Sequence, residues 1–313
     1  MDIKPKVLLV DDEERILRSL GLLLRMQYQV FATSDGFEAL AILRREKIHV
    51  LISDQRMPVM SGSELLRQAR EVSPDTVRIL LTGYADADAA LASVNEGEIF
   101  RYITKPWGPK ELRDTIAQAA EIAVRLEGAT IAPVVPVATG RLTCLVLDRD
   151  EATFQAVQEV IGAHHDVVWR QTVTGALQVL ASQPVAILVT ELSLGDEDLS
   201  AMIKQLKQER PELLTLILTC FKDTSRLVDL INQAQVFRYL PKPVRKGMLG
   251  RSIESTIARY QAMTARPVLL ATQTVEKTQD VLEQQVGSKV AEYLARLRGK
   301  TGRDKTGLAQ PVA

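Results

Sequence analysis

The sequence has few of the side chains that bind transition metals or form disulfides. It contains two cysteines, Cys144 and Cys220, and three histidines in 313 residues. Neither cysteine belongs to a paired spacing that is typical of a zinc site or a disulfide framework. Each lies inside an apolar run, so we expect both to be reduced thiols in a hydrophobic core. A transition-metal enzyme is therefore not expected.

The sequence also lacks a net charge and a long apolar run. Lys plus Arg and Asp plus Glu both total 39, so the formal net charge is zero. Such a chain has no global field that would attract nucleic acid or an anionic membrane. No apolar stretch approaches the ~20 residues that span a bilayer, and the N-terminus becomes acidic too early for a secretory leader. We therefore expect a soluble, cytoplasmic protein with no DNA and no membrane partner.

The first 127 residues alternate short apolar runs with amphipathic helical patterns. Four of the five predicted strands have a strongly apolar core, as parallel strands do when helices cover both faces of their sheet. This alternation predicts a doubly wound α/β domain of the (βα)5 type. The predicted strands are Val7–Val10, Val30–Ala32, Val50–Ser53, Ile79–Thr82 and Tyr102–Thr104. The predicted helices include Arg15–Met26, Gly36–Arg45, Gly62–Glu71 and Lys110–Leu126.

The same plan returns later in the chain at a constant offset of 137 positions. An offset that holds across a whole domain without a gap indicates a duplication of one fold. In the order of the chain, Asp11, Asp54, Thr82 and Lys105 correspond to Asp148, Glu191, Thr219 and Lys242.

Four segments follow from this duplication. Residues 1–127 and 141–263 are the two predicted α/β domains, and residues 128–140 are a partly extended linker with two prolines. Residues 264–313 are a predicted helical tail that ends in a polar segment. One helical face of this tail carries Val286, Val290, Tyr293, Leu294 and Leu297.

Polar side chains end the predicted strands of the first domain. Asp11 and Asp12 follow the first strand, Asp54 the third, Thr82 ends the fourth and Lys105 follows the fifth. In an open parallel sheet these strand ends meet at one edge, where ligands bind. Crowded carboxylates favour a hard divalent cation, and Mg²⁺ suits oxygen ligands of this kind.

A cation among acids, beside a nucleophilic carboxylate, indicates phosphoryl transfer. Asp54 would attack phosphorus and form an acyl phosphate, Lys105 would pair with a phosphoryl oxygen, and the Thr82 hydroxyl would hydrogen-bond another. The alternative is that each of these residues only caps a loop or a helix. We disfavour it because all five polar residues, the three acids, Thr82 and Lys105, stand in order at the ends of the strands that meet at this edge.

The first domain carries four short motifs: VDDEE at 10–14, SDQRMPVMSG at 53–62, LLTGY at 80–84 and YITKPW at 102–107. They resemble the receiver domain of two-component response regulators, and the resemblance covers roughly residues 5–127. It implies a flavodoxin-like fold, with Asp54 as the phosphoacceptor. It also implies that Mg²⁺ is held by Asp11, Asp12, Asp54 and the backbone carbonyl of Arg56.

The resemblance implies further roles for single residues. Thr82 and Tyr102 would be switch residues, and Lys105 would bind the phosphoryl group. The peptide bond before Pro106 would be cis. Arg56 and Tyr84 occupy positions that influence the lifetime of the phosphoryl group in this family.

The second domain resembles a receiver domain that has lost its chemistry. Asp148 is kept, but Arg149 replaces the second acid and Glu191 replaces the phosphoacceptor, while Thr219 and Lys242 remain. Glu191 is one methylene longer than Asp and would reach Lys242 or Arg149. Two hypotheses stay open: a pseudoreceiver that an internal salt bridge locks in an active-like state, or a scaffold with no particular state.

These expectations describe a response regulator of a bacterial two-component phosphorelay with no enzymatic activity beyond self-phosphotransfer and auto-dephosphorylation at Asp54. Its partners would be a sensor histidine kinase or a histidine phosphotransfer protein, and a downstream protein effector. A homodimer through the fourth helix, fifth strand and fifth helix of the first domain is a further expectation. The alternatives are the sensory front half of a larger enzyme, such as a cyclic-dinucleotide phosphodiesterase or cyclase, and a phosphorelay intermediate. No glycine-rich phosphate loop follows a predicted strand, which argues against nucleotide hydrolysis.

Overall fold

The computed structural model describes residues 4–83, 99–129, 140–220, 230–273, 275 and 281–304. The chain divides into two compact units, and neither is continuous in sequence. The first unit takes short segments from well beyond the boundary that was predicted at residue 127. It consists of Met1–Val135, Lys222–Asn232 and Arg266–Thr272. The second unit consists of Pro136–Phe221, Gln233–Ala265 and Gln273–Ala313.

The first unit contains a five-stranded parallel sheet in the order β2-β1-β3-β4-β5. All five predicted strands are confirmed, with ends that differ from the prediction by at most two residues. The three central strands are almost wholly buried, as the apolar runs predicted. The strands are β1 Lys6–Val10, β2 Gln29–Thr33, β3 Val50–Asp54, β4 Val77–Gly83 and β5 Arg101–Lys105.

Helices follow the strands as the amphipathic patterns predicted, and two of them begin at side-chain caps. The Asp35 carboxylate accepts the N–H groups of Phe37 and Glu38 at the start of α2, and the Ser61 hydroxyl accepts that of Glu64 at the start of α3. The helices are α1 Glu14–Leu24, α2 Gly36–Arg45, α3 Gly62–Val72 and α4 Pro109–Gly128. The helix expected between β4 and β5 falls on residues 84–98, outside the described residues.

One hydrophobic core cluster of the first unit lies between the sheet and the helices α1 and α4. Val7, Ile79 and Ile116 are fully buried in it. A 3-10 helix, Pro267–Gln273, adds Val268, Leu269 and Ala271 to this core. Arg266, just before that helix, donates to the Asp75 carboxylate at 2.9 Å and to the carbonyl of Leu126 at 3.2 Å. These contacts explain why a segment so late in the chain belongs to the first unit.

The second unit contains another five-stranded parallel sheet, in the order β12-β11-β8-β6-β7. Counted along the chain, the strands of this sheet have the same order as those of the first. Its strands are β6 Thr143–Leu147, β7 Asp166–Arg170, β8 Ile187–Thr190, β11 Leu214–Thr219 and β12 Arg238–Pro241. A short antiparallel pair, β9 Ser193–Leu194 and β10 Glu197–Asp198, lies after β8.

Five longer helices accompany this second sheet. They are α5 Glu151–Ile161, α6 Val173–Ser182, α7 Ser200–Glu209, α8 Lys246–Ala265 and α9 Val281–Asp304. Helix α9 packs on α6 and α7. It buries Val290 and Leu294 but leaves Val286 exposed, so the apolar face expected in this tail is covered only in part.

The two cysteines have different surroundings. Cys144 is fully buried in β6, and burial raises the pKa of its thiol to about 12. Cys220 is exposed, so the expectation of a second core thiol was wrong. The reason is that β11 ends at Thr219, where the chain leaves the sheet. Residues 130–139, most of the expected linker, lie outside the described part of the chain. No helix in the described ranges is both long enough and apolar enough to span a bilayer.

Candidate functional site

Three predicted site residues meet at the carboxyl edge of the first sheet. Asp11 follows β1 and is 1% exposed, Asp54 ends β3 and is 5% exposed, and Lys105 ends β5. Nζ of Lys105 lies 2.6 Å from Oδ1 of Asp54 and 3.1 Å from Oδ2 of Asp11. The parallel order β1-β3-β4-β5 brings these residues together, because all four strands end at the same edge.

Backbone N–H groups fix the other oxygen of each carboxylate. Oδ1 of Asp11 accepts the N–H of Glu13 at 2.9 Å, and Oδ2 of Asp54 accepts the N–H of Arg56 at 2.8 Å. Each carboxylate therefore presents one oxygen to Lys105 while the backbone holds the other. This fixes the direction in which Asp54 presents its oxygen to an incoming group.

The contacts among Asp11, Asp54 and Lys105 also shift pKa values in this cluster. Burial raises the pKa of Asp11, and its hydrogen bonds with the N–H of Glu13 and with Lys105 offset this only in part. Burial by itself would lower the pKa of Lys105, but its hydrogen bonds to Asp54 and Asp11 outweigh this and raise it. Two carboxylates around one ammonium carry a formal excess of one negative charge. The site therefore favours a further cation.

Gly62 is a site residue that the strand-end argument missed. A Cβ at this position would lie 2.0 Å from the carbonyl oxygen of Asp54. The chain comes this close because the Gly62 N–H donates to the carbonyl of Gln55 at 3.0 Å and the Ser63 N–H donates to Oε1 of Gln55 at 3.0 Å. In the sequence, Gly62 is the last residue of the motif SDQRMPVMSG, eight positions after Asp54.

The other predicted site residues differ in how far they are buried. Thr82 is 1% exposed at the end of β4, and its hydroxyl donates to the carbonyl of Gly83 at 3.3 Å. Tyr102 is 2% exposed in β5. The side chain of Arg56 is exposed, and Tyr84 lies outside the described residues.

Asp12 does not converge with the two buried acids. It is exposed, and within the described ranges no three His, Cys, Asp or Glu side chains are grouped closely enough to hold a metal ion. The expected convergence of three carboxylates is therefore seen for Asp11 and Asp54 only. Because Asp12 directly follows Asp11, the two side chains leave the backbone in different directions. The donors are nevertheless the hard oxygens that Mg²⁺ prefers, and the excess negative charge around Lys105 fits a divalent ion.

The second sheet repeats the lysine–carboxylate cluster with one change. Nζ of Lys242 lies 2.6 Å from Oδ2 of Asp148 and 3.0 Å from Oε2 of Glu191. The other oxygen of Asp148 accepts the N–H of Asp150, and Oε1 of Glu191 accepts that of Leu192. Of the two partners proposed for Glu191, the structure pairs it with Lys242. Thr219, at the end of β11, is 2% exposed.

Arg149 is directed elsewhere. A Cβ on Gly195 would lie 2.5 Å from Nη1 of Arg149, so the guanidinium covers this glycine. Gly195 has φ +65°, a conformation that favours glycine, in the turn between β9 and β10. The peptide bonds Lys105–Pro106 and Lys242–Pro243 are both cis, the first as expected.

Comparison with known proteins agrees with this geometry. The family model of the response regulator receiver domain matches residues 7–117. Residues 7–117 are a response regulator receiver domain. The chain is 43% identical over 120 residues to the hydrogenase transcriptional regulatory protein HoxA of Cupriavidus necator, a match that covers 38% of this chain and 25% of that protein. The transcriptional regulatory protein GlrR of Escherichia coli is 37% identical over 123 residues, covering 39% of this chain and 28% of that protein.

The matches have a limited extent. The chain spans about a quarter of the length of these curated relatives. A solved receiver domain protein from Clostridium thermocellum is 34% identical, covers 39% of this chain and 98% of that chain, and superposes with a TM-score of 0.37. A TM-score of this size adds nothing to the assignment, which rests on the sequence match. The relatives' names refer to transcription, which stands in tension with the expectation of no DNA partner.

Proposed function

We propose that this protein is a two-component response regulator in which Asp54 accepts a phosphoryl group. The observation that carries the proposal is the 2.6 Å contact between Nζ of Lys105 and Oδ1 of Asp54. A carboxylate held by one backbone N–H and one ammonium is oriented as a nucleophile, and the ammonium is ready to pair with the oxygens of an incoming phosphoryl group.

The donor would be a phosphohistidine of a sensor histidine kinase or of a histidine phosphotransfer protein. An oxygen of Asp54 forms a bond to phosphorus while the phosphorus–nitrogen bond breaks, and the electron pair of that bond leaves with the imidazole nitrogen. The product is an acyl phosphate on Asp54. Lys105 then pairs with a phosphoryl oxygen, and the hydroxyl of Thr82 donates a hydrogen bond to another.

Asp11, Asp54 and the carbonyl of Arg56 would hold Mg²⁺ together with Asp12, whose exposed side chain would have to turn toward the ion. When bound, the ion supplies positive charge that balances the acids and the phosphoryl oxygens. Burial of Asp11 supports this assignment, because a buried carboxylate that shares one ammonium with a second carboxylate is short of positive charge.

The output would be a change in protein–protein binding. Thr82 and Tyr102 are both buried near the edge of the sheet that carries the proposed phosphoacceptor. They lie on neighbouring strands, where Thr82 of β4 pairs with Thr104 of β5 and Leu80 of β4 pairs with Tyr102 of β5. A phosphoryl group that Thr82 contacts would favour one arrangement of this region over another. Each ~1.4 kcal/mol of differential contact changes the ratio of the two arrangements tenfold. The receiving partner would be a protein effector.

The second unit would be a pseudoreceiver that takes no phosphoryl group. Glu191 stands where the first unit has Asp54, and Arg149 stands where it has Asp12. Lys242 pairs with Glu191 as Lys105 pairs with Asp54, so the two hypotheses for this unit, a locked active-like state and a scaffold, both stay open. A carboxylate already paired in this way, with one acid fewer beside it, has less need of a divalent cation.

The test uses the full chain, Mg²⁺ and acetyl phosphate as a small-molecule phosphodonor. The wild type should gain the mass of one phosphoryl group, and hydroxylamine should remove it, as it does from an acyl phosphate. Asp54→Asn should abolish the gain, whereas the control Glu191→Gln should not affect it. A wild type without an acyl phosphate, or labelling that persists in Asp54→Asn, would show that the proposal is wrong.

A further inference from the structure

The open edge of the first sheet carries an unusual contact. Strand β5 is the last strand of its sheet, and an edge strand leaves backbone groups free to pair with another chain. The N–H of Tyr102 in β5 donates to Oδ1 of Asn232 at 2.9 Å, and the carbonyl of Tyr102 accepts from Nδ2 of Asn232 at 2.7 Å. One side chain therefore satisfies both backbone groups of Tyr102.

The chemistry of asparagine suits this role. A carboxamide has a carbonyl acceptor and an N–H donor side by side, as the peptide groups of a neighbouring strand have. Aspartate would lack the donor, and leucine, of similar size, would lack both groups. Asn232 lies 130 residues after Tyr102 and enters the first unit with the segment Lys222–Asn232.

The two residues just before Asn232 are buried. Leu230 and Ile231, the two residues before Asn232, are 2% and 4% exposed. A hydrogen bond that apolar neighbours shield from water is stronger than one at an open surface. The two hydrogen bonds of Asn232, next to buried Leu230 and Ile231, therefore hold it against β5 more firmly than bonds at an open surface would.

Strand β5 also connects Tyr102 with the proposed phosphoacceptor site. Lys105 ends the same strand and contacts Asp54 at 2.6 Å. Thr104, between them, pairs with Thr82. A movement of Lys105 or Thr82 toward a phosphoryl group therefore acts on the strand that Asn232 caps.

We propose that Asn232 makes residues 230–232 a built-in partner of the β5 edge, and that phosphorylation of Asp54 changes this contact within the chain. The effect of phosphorylation rests on the proposed function. The two hydrogen bonds between Asn232 and Tyr102, called the cap below, do not rest on it. Where the sequence suggested that this surface binds a second copy, the edge at Tyr102 is taken by the protein's own segment. The first partner that responds to phosphorylation is then a segment of the same chain.

The cap is tested by amide hydrogen exchange at Tyr102 in the unphosphorylated full chain. Asn232→Leu and Asn232→Ala both remove the acceptor, one with similar volume and one without added bulk. In each folded variant the Tyr102 amide should exchange up to about tenfold faster, as expected for the loss of one net hydrogen bond. The matched control is Gln118→Leu, which removes a side-chain amide that accepts from Arg101 on the same strand at 3.4 Å. Unchanged exchange at Tyr102 in both Asn232 variants would overturn the cap.

The coupling is tested by adding Mg²⁺ and acetyl phosphate to the wild type and to Asp54→Asn. Exchange at Tyr102 should change by at least about twofold in the wild type and stay constant in Asp54→Asn. A wild type that becomes phosphorylated with no change at Tyr102 would overturn the coupling and leave the proposed function intact. A wild type that takes no phosphoryl group would instead contradict the proposed function, while the comparison of the Asn232 variants still decides the cap.

Discussion

Nζ of Lys242 lies 3.0 Å from Oε2 of Glu191, in the same arrangement that Lys105 makes with Asp54 at 2.6 Å. In both cases a second buried acid, Asp148 or Asp11, shares the ammonium. The two units therefore keep the same lysine–carboxylate cluster although one carboxylate has been lengthened by a methylene. A role in stability common to both clusters explains why the lysine is present in a unit that we propose to be without phosphoryl chemistry.

The first prediction concerns the stability of the second cluster. Lys242→Met leaves the buried Asp148 and the partly buried Glu191 without a cation, and removing one partner of a buried ion pair costs up to about 3–5 kcal/mol. We expect a loss of unfolding free energy of this order, measured by denaturant unfolding. Glu191→Gln in the Lys242→Met background should recover part of it, because it removes one of the uncompensated charges. A double-mutant cycle with no coupling between the two positions would contradict the prediction.

The second prediction concerns phosphoryl transfer in the first cluster. Lys105→Ala removes the donor that faces Oδ1 of Asp54, and the loss of one preorganised donor lowers a rate by about 10²–10³-fold. The initial rate of acyl phosphate formation from acetyl phosphate should fall by this factor. Lys110→Ala, which removes an exposed lysine at the start of α4, is the matched control and should keep the wild-type rate. Equal rates in both variants would exclude the role proposed for Lys105.

The third prediction compares two glycines of the first unit. Gly62→Ala places a Cβ 2.0 Å from the carbonyl oxygen of Asp54, so the loop must move, and the unfolding free energy should fall by about 1–3 kcal/mol. Gly21, in the interior of α1, has no atom within 4 Å of the added Cβ. Gly21→Ala should therefore stabilise the protein by about 0.5–1 kcal/mol through helix propensity. Thermal unfolding of both variants measures the difference, and a shift of the same sign in both would refute the steric argument.

The fourth prediction concerns the pH dependence of stability through Lys207. Its ammonium is buried in α7 and donates to the carbonyls of Pro211 and Leu213 and to Oε1 of Gln273, all within 2.9 Å. Burial lowers its pKa from 10.5 to about 7, while the nearby charge of Glu212 raises the pKa and that of Arg259 lowers it, both by less than burial does. In the described part of the chain, these neutral acceptors hold the ammonium without a carboxylate in direct contact.

Between pH 7 and pH 10.5 the unfolded chain keeps the Lys207 proton that the folded protein releases, so the unfolded state binds more protons. Stability should therefore rise with pH in this window, by up to about 1.4 kcal/mol per pH unit, and the cost of burying the charge is fully present below it. Unfolding free energies of the wild type and Lys207→Met, measured from pH 6 to pH 9.5, test this. The slope should flatten in Lys207→Met and stay in the control Lys246→Met, which removes an exposed lysine. A slope that persists in Lys207→Met means that another group causes it.

Much of the fold of the first unit could be predicted because its signals are local. The runs around Val7–Val10 and Val50–Ser53 indicated buried parallel strands, and the residues that end them had to meet at one edge. Lys105 and Asp54 were placed together by this reasoning before any distance was known. Asp12 was placed at the same edge, but its side chain is exposed, since strand order decides which edge a residue reaches and not where its side chain points.

Some contacts join residues that are far apart in the chain, and no hydrophobic period or motif spacing in the sequence predicts them. Asn232 capping Tyr102, Arg266 bridging to Asp75, and Gln273 receiving a hydrogen bond from Lys207 are examples. Cys220 was misplaced for a related reason: an apolar run predicts a buried strand but not the residue at which the chain leaves the core.

The sequence by itself determined the alternation of strands and helices, the repeat at a fixed offset and the set of polar residues at the strand ends. These follow from hydrophobic periodicity and from the rule that parallel strands end at a common edge. Only the tertiary structure decided which residues contact each other within that edge, and which distant segments complete each unit. Such contacts depend on the path of the whole chain through space, because the packing of one segment is set by surfaces that other segments provide.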